Sequence, residues 1–437
     1  MKSSTDFISF LNRAVTPYHS VSVLQEKLRE QGFTELSMGE EWDLCGLVRR
    51  EGTAGFFTSP TEGLLFAFTV GSGYTAGSGF KLAAAHTDYP CLHVKPSGEI
   101  NGSYALLDTE VYGGPILNTW LDRPLGLAGR AVINTADGIS VKLFSSGSAI
   151  AVIPNLPIHF NREVNKGVEL KKQLDLRPLT GGGALPLSPG WLKKTVAELI
   201  SVSEGWDVPP EEILDIDAYL YNAAKAETAG LHGELLCSGR LDNQTSCYAL
   251  LKGILAAKEN ENDGLAVTIW FDNEEIGNTT QKGADSALPS MLLEKIYDGL
   301  AMEPVRLREA IVNSRLLSLD VAHALHPNHP EKFDTENSGA LGSGVILKMS
   351  ANQRYSYDPL AIGEAIRLCG EYSIPYKRHV NHSDIAGGST MGPVLSSRLP
   401  MPALDMGVPI LAMHSASETM QLSDETALVE FTTHFLE

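Results

Sequence analysis

Ionisable residues in this sequence fall where apolar runs stop. KLAAA (81–85) is followed by His86-Thr87-Asp88, LAVTIWF (265–271) by Asp272-Asn273-Glu274-Glu275, LLSL (316–319) by Asp320, and PILAM (409–413) by His414. A further acid, Asp242, stands at the expected start of a helix. Such runs read as buried strands, and in open α/β sheets ligands bind beyond the carboxyl ends of strands. His86 and His414 are 328 positions apart, yet one crevice can gather them. Several carboxylates in a partly dehydrated crevice repel one another, and cations relieve that repulsion. Histidine and carboxylate ligands without cysteine suit zinc, manganese or cobalt in a hydrolytic site. In the economical arrangement Asp242 bridges two divalent ions, each completed by one histidine and one further acid. Glu274 is then the spare carboxylate, a general base for a metal-bound water.

Each piece alone has a plainer reading. A His-x-Asp after an apolar run is commonly a hydrogen-bonded strand end, a Glu-Glu pair a solvated turn, and an Asp before a helix its cap. The recurrence of such residues at successive strand exits favours the chemical reading. His379 and His382, in KRHVNHSD, read as polar loop residues rather than a third metal cluster, and Gly387-Gly388-Ser389 as a tight turn lining the cleft. No Gly-x-Ser-x-Gly elbow or nucleophile with its base is evident.

The elements that must position these residues follow from periodicity. Ser20 is the expected cap of a helix through Val23, Leu24 and Leu28, stopped at Gly32. The runs around GSGYTAGSG, from about residue 63 to 85, read as two strands and a loop. From about 93 to 235 the texture changes to short β-type runs, LAGRAVINT, ISVKLFS and AIAVIP, with GGGALPLSPG (181–190) as an exposed loop; this reads as a β-rich insertion. Cys247, Leu250, Leu251, Ile254 and Leu255 lie on one helical face, so a helix is expected over 243–257 with Asp242 or Asn243 as its cap. SRLLSL (314–319) and SGVILKM (343–349) complete the buried strands. Strand and helix alternation outside the insertion indicates α/β layers.

Composition sets the outer bounds. The 437 residues carry 34 Lys+Arg and 53 Asp+Glu, a net charge of −19, which argues against nucleic acid or an anionic membrane surface as partner. The N-terminal stretch lacks the apolar core of a signal peptide and no window is apolar enough to span a membrane, so a cytoplasmic location is expected. Five scattered cysteines without CxxC spacing indicate neither a disulfide framework nor a thiolate zinc site.

The motifs AAAHTDYPCLHVKP, YGGPILNTWLDRPLGLAGR, IPNLPIHFNREVNKG, SGRLDNQTSCYALL, FDNEEIGNTTQKGADS, SLDVAHALHPNHPEK, LKMSANQRYS, AGGSTMGPVLSSRL and LAMHSASETM run in order along nearly the whole chain. Together they resemble the aspartyl aminopeptidase family of dinuclear zinc exopeptidases. The resemblance implies a three-layer α/β zinc-peptidase-like catalytic domain with a mixed central sheet, at 1–92 and 236–437. It also implies an inserted, mainly β dimerisation and substrate-cap domain at 93–235. By the same resemblance His86, Asp242 and Asp320 hold one ion, Asp242, Glu275 and His414 the other, Glu274 is the base, and Asp88 orients His86. His159, His323, Lys348 and Tyr355 are implied as substrate contacts, with Lys348 the countercharge for an acidic side chain or the developing oxyanion. His159 would enter a neighbouring subunit's site in a dimer-based dodecamer. The implied reaction is hydrolysis of the N-terminal peptide bond of a peptide, with preference for Asp or Glu. The alternatives are a dinuclear amidohydrolase of N-acylated small molecules, a non-catalytic assembly scaffold, and a purely structural cation site.

Overall fold

Strands Leu64–Gly71 and Leu265–Phe271 are buried along their whole length, so each needs cover on both faces. The computed structural model, which describes residues 2–182 and 187–437, supplies that cover with helices on either side of a nine-stranded mixed sheet. In order the strands are Thr34–Glu35, Thr53–Thr61, Leu64–Gly71, Leu265–Phe271, Lys81–His86, Arg315–Leu319, Ala403–Gly407, Val345–Lys348 and Tyr376–His379. The four central ones, from Leu265–Phe271 to Ala403–Gly407, run parallel. Leu64–Gly71 and Val345–Lys348 flank them antiparallel.

Alternate residues face opposite sides of a strand. On one side Phe66, Phe68, Leu82, Ala84, Val267 and Ile269 join Leu292, Leu293 and Ile296 of the Leu288–Gly299 helix in one apolar cluster. On the other side Trp270 donates its indole N–H to the Cys247 carbonyl at 3.0 Å, tying in the Leu241–Glu259 helix. That helix packs on the Lys81–His86 strand and on the Leu422–Leu436 helix.

The chain divides into two compact units. The first comprises 1–88, 227–413 and 418–437; besides the nine-stranded sheet it contains a five-stranded sheet in the order Glu227–Ala229, Leu235–Ser238, Glu418–Gln421, Pro409–Leu411, Ala322–His323. The second comprises 89–226 with 414–417, and is built on an antiparallel six-stranded sheet. Its order is Gly138–Ser145, Leu125–Thr135, Ile213–Asn222, Cys91–Asn101, Tyr104–Tyr112, Leu179–Gly182, with the Trp191–Glu204 helix packed against it.

Several local expectations are corrected. The second helix begins at Pro17 and its cap is Thr16, whose hydroxyl accepts from the His19 N–H; proline at the first helical position leaves no amide to satisfy there. Ser20 is inside the helix, bonded to the Thr16 carbonyl and to Gln244. Ala151, Val152 and Ile153 of AIAVIP make only isolated bridges, to Leu125, Leu179 and Leu121, so no continuous ladder forms. Gly181 and Gly182, expected in a loop, end an edge strand, while 183–186 of that loop lie outside the described residues. Asp242 and Asn243 lie inside the assigned Leu241–Glu259 helix, which follows Arg240 without a side-chain cap there. Their φ/ψ values are non-helical, the peptide between them is cis, and Asn243 donates its side-chain amide to the Leu319 carbonyl.

Candidate metal centre

His86 is the last residue of the Lys81–His86 strand, and the strand beside it ends at Phe271, whose carbonyl accepts from the Thr87 N–H at 2.7 Å. Asp320 follows the adjacent Arg315–Leu319 strand. These parallel neighbours therefore open His86, Asp272 and Asp320 at one end of the sheet. Asp242 comes from the distorted first turn of the helix covering the same strands. Its N–H donates to Glu418 Oε2 at 3.1 Å, and Gln244, two residues on, donates to the Thr87 carbonyl.

His86 Nε2 lies 3.4 Å from Asp242 Oδ1 and 3.6 Å from Asp320 Oδ1. The other ring nitrogen, Nδ1, is 3.1 Å from the Asp88 carbonyl oxygen, which can only accept, so Nδ1 carries a hydrogen and, in the neutral ring, Nε2 has the lone pair. A lone pair then faces two carboxylates in a buried place, an arrangement that a cation resolves. The spacing fits one: zinc–ligand bonds of about 2.0–2.2 Å in a tetrahedron put neighbouring donors roughly 3.4 Å apart. The same distances exceed those of good N–H···O bonds. The residues present thus fit a divalent metal, with ligand atoms of His86, Asp242 and Asp320 all within 4.8 Å of one another.

The acids beside this trio are fixed by backbone. Both Asp88 carboxylate oxygens accept main-chain hydrogens, from Glu274 and from Glu275, each at 3.1 Å. Asp88 Oδ1 is also 3.4 Å from His86 Nδ1, so one buried side chain links the imidazole to the Glu274-Glu275 turn. His86, Glu274 and Glu275 likewise bring ligand atoms within 4.8 Å. Burial pushes the Glu274 carboxyl up to about 8; His86 opposes this, and Asp320, Asp88 and Asp242 add to it. Burial alone would lower the His86 pKa, but Asp242, Asp320 and Asp88 raise it well above the usual imidazole range. Asp272 is also raised, to about 7, mainly by burial, although Lys282 Nζ sits 3.0 Å from it. Gly63, at φ +91°, lies where any Cβ would come within 2.5 Å of Asp272 Oδ2.

Three of the expected substrate contacts flank Asp320. Lys348, fully buried, donates to Asp320 Oδ2 at 3.3 Å and to the Val321 carbonyl at 2.8 Å. Burial would lower its pKa, but Asp320, Asp405 and Tyr355 raise it, so it is a cation. Its Nζ lies 5.2 Å from the centre of the Tyr355 ring. Burial lowers His323 to about 4, helped by His379 and Lys348, so it is neutral. His159 belongs to the second unit, in the exposed stretch 154–160. His414 falls in the 414–417 segment grouped with that unit, and its Nδ1 is 3.0 Å from the Gly114 carbonyl oxygen. Sequence reasoning missed Glu418, Asp405 and Asn381. Asp405 lies within the apolar strand Ala403–Gly407, while Glu418 begins and Asn381 follows short, largely polar strands, and neither pattern singles a residue out.

Residues 10–436 match the family model described as aminopeptidase I zinc metalloprotease (M18). The chain belongs to the M18 aminopeptidase family. It is 36% identical over 428 residues to a probable M18 family aminopeptidase 2 of Clostridium novyi, covering 97% of this chain and 96% of that one. It is 33% identical over 453 residues to the aspartyl aminopeptidase of Caenorhabditis elegans, covering 99% and 94%. Among solved structures it resembles that of the Ape4 and Nbr1 complex, with a TM-score of 0.92 and 30% identity over 99% of this chain and 85% of the other. This M18 chain is accordingly a metal-dependent aminopeptidase with the mixed α/β fold of its structural neighbours.

Proposed function

We propose that this M18 aminopeptidase uses two divalent ions, most readily zinc, to remove acidic residues from peptide N-termini. The observation that carries the metal reading is the buried His86 Nε2 facing Asp242 and Asp320 at the donor spacing of a small divalent ion. Asp242, Glu275 and His414 would hold the second ion, and sharing Asp242 lets one carboxylate serve both positions. Manganese or cobalt suits the same donors. When bound, the ions would polarise the scissile carbonyl and favour deprotonation of the attacking water.

The chain's own residues supply the rest. Glu274, held by Asp88 through its backbone N–H, accepts the proton of the attacking water and returns it to the leaving amine. Asp88 keeps the Nε2 lone pair of His86 aimed at the ion. Lys348 is a buried cation that can neutralise a carboxylate on the first residue, and the name of the C. elegans relative supports that preference. His323 and Tyr355 line the same place.

Residues 93–235 would act as a dimerisation and substrate-cap domain, carrying His159 into a neighbouring subunit's site in a homo-oligomer, a dimer-based dodecamer in the cytoplasm. This assembly rests on the motif resemblance.

The test is a panel of aminoacyl amides with zinc-reconstituted protein. Asp and Glu amides should be cleaved at least about tenfold more efficiently than Ala or Leu amides, the scale of one charged hydrogen bond. Preference for N-acetylated amino acids would replace the exopeptidase reading with deacylation.

A further inference from the structure

Beside Lys348 lies a hydrogen-bonded chain that the hydrolytic steps do not use. His379 Nε2 is 3.0 Å from Asn381 Oδ1, and Asn381 Nδ2 donates to the Tyr355 hydroxyl at 3.3 Å. Burial lowers His379 below the usual imidazole range, so it is neutral; since an amide oxygen only accepts, its hydrogen is on Nε2. The amide is thereby oriented, oxygen to His379 and nitrogen to Tyr355. A phenol oxygen that accepts from Asn381 turns its own hydrogen to another acceptor. Tyr355 and the adjacent Lys348 are then both donors.

The backbone fixes Asn381 in this pose. Asn381 forms a bridge with Phe333, and the preceding Val380 N–H donates to the Asn337 carbonyl. Gly387 closes over it: at φ +64°, a Cβ there would lie 2.2 Å from Asn381 Nδ2. Glycine is required both by the left-handed conformation and by this approach. The Gly387-Gly388-Ser389 turn thus has a specific use, as a lid on the Asn381 amide.

We propose that Asn381 is a positioning residue for substrate specificity: it holds the Tyr355 hydroxyl as a donor, so that Tyr355 and Lys348 together read a carboxylate on the first residue of the peptide. This rests on the acidic preference proposed above. Asn381→Asp presents only acceptors and would draw the Tyr355 hydrogen toward itself; Asn381→Leu removes both bonds at similar volume. Each variant should lower kcat/KM for Asp and Glu amides by about tenfold or more, chiefly through KM, while Ala and Leu amides change by less than about threefold. The ratio of acidic to neutral cleavage does not depend on how much protein is folded, so partial misfolding leaves the readout intact. In a Tyr355→Phe background, Asn381→Leu should cause no further loss of discrimination. Equal losses on acidic and neutral amides, or losses that add in the double variant, would overturn the role of Asn381. Wild-type protein without acidic preference would instead remove the specificity reading itself. If wild type prefers acidic amides and both variants keep the ratio, only the positioning role falls.

Discussion

At the scale of single residues, two buried carboxyls illustrate different uses of the same shift. Glu274 is buried among Asp320, Asp88 and Asp242, and its place beside the His86 trio suits it to take up a proton and return it. Glu274→Gln should retain metal content, measured by atomic emission, yet lower kcat by about two decades or more. Parallel loss of metal would make Glu274 a ligand. Glu425 takes no part in that chemistry: both its carboxyl oxygens lack hydrogen-bond partners among the described residues, and burial with Asp424 beside it raises its pKa well above 4.5. The folded state therefore keeps the Glu425 proton while the unfolded chain releases it above about 4.5, so stability falls as pH rises through that window toward the folded value. Glu425→Gln, neutral throughout, should match wild type in thermal melts at pH 4 and exceed it at pH 8 by roughly 1 kcal/mol or more. Identical pH slopes for the two proteins would show that the carboxyl finds compensation on ionising.

At the scale of elements, the site depends on how the Leu241–Glu259 helix seats on the sheet. The helix delivers Asp242 and Gln244, the strand beneath delivers His86, and three bonds lock them: Trp270 to the Cys247 carbonyl, the Cys247 thiol to the His86 carbonyl, and Gln244 to the Thr87 carbonyl. Trp270→Phe removes one of these and leaves a small void, at a cost of about 1–3 kcal/mol. Because Trp270 bonds to Cys247 of the helix that carries Asp242, zinc affinity should fall along with stability, read by competition with a chromogenic chelator. Lower stability with unchanged affinity would show that Asp242 is held in place without the Trp270 bond.

At the scale of the whole molecule, a net charge of −19 sets a condition on assembly. Twelve like-charged chains repel one another, and salt screens that repulsion. The proposed dodecamer predicts a light-scattering mass near twelve times 47.1 kDa at physiological salt, with dissociation favoured as ionic strength falls. A single-chain mass at every salt concentration would remove the assembly. No described helix is long and apolar enough to cross a membrane.

The strands were largely legible because burial on both faces leaves an unbroken apolar run: LAVTIWF is the strand Leu265–Phe271 to the residue. Capping was less so. Thr16 and Ser20 carry equivalent hydroxyls, and the choice fell to where Pro17 could start a helix. The sequence by itself determined the α/β class and the residues standing at strand exits, since strand length and polarity are local properties. Only the tertiary structure decided which exits share an end of the sheet, because the order that sets Lys81–His86 between Leu265–Phe271 and Arg315–Leu319 comes from pairing across hundreds of residues. It alone placed Asn381 under Gly387 and Glu418 on the Asp242 amide, since these contacts depend on distances that no spacing along the chain encodes.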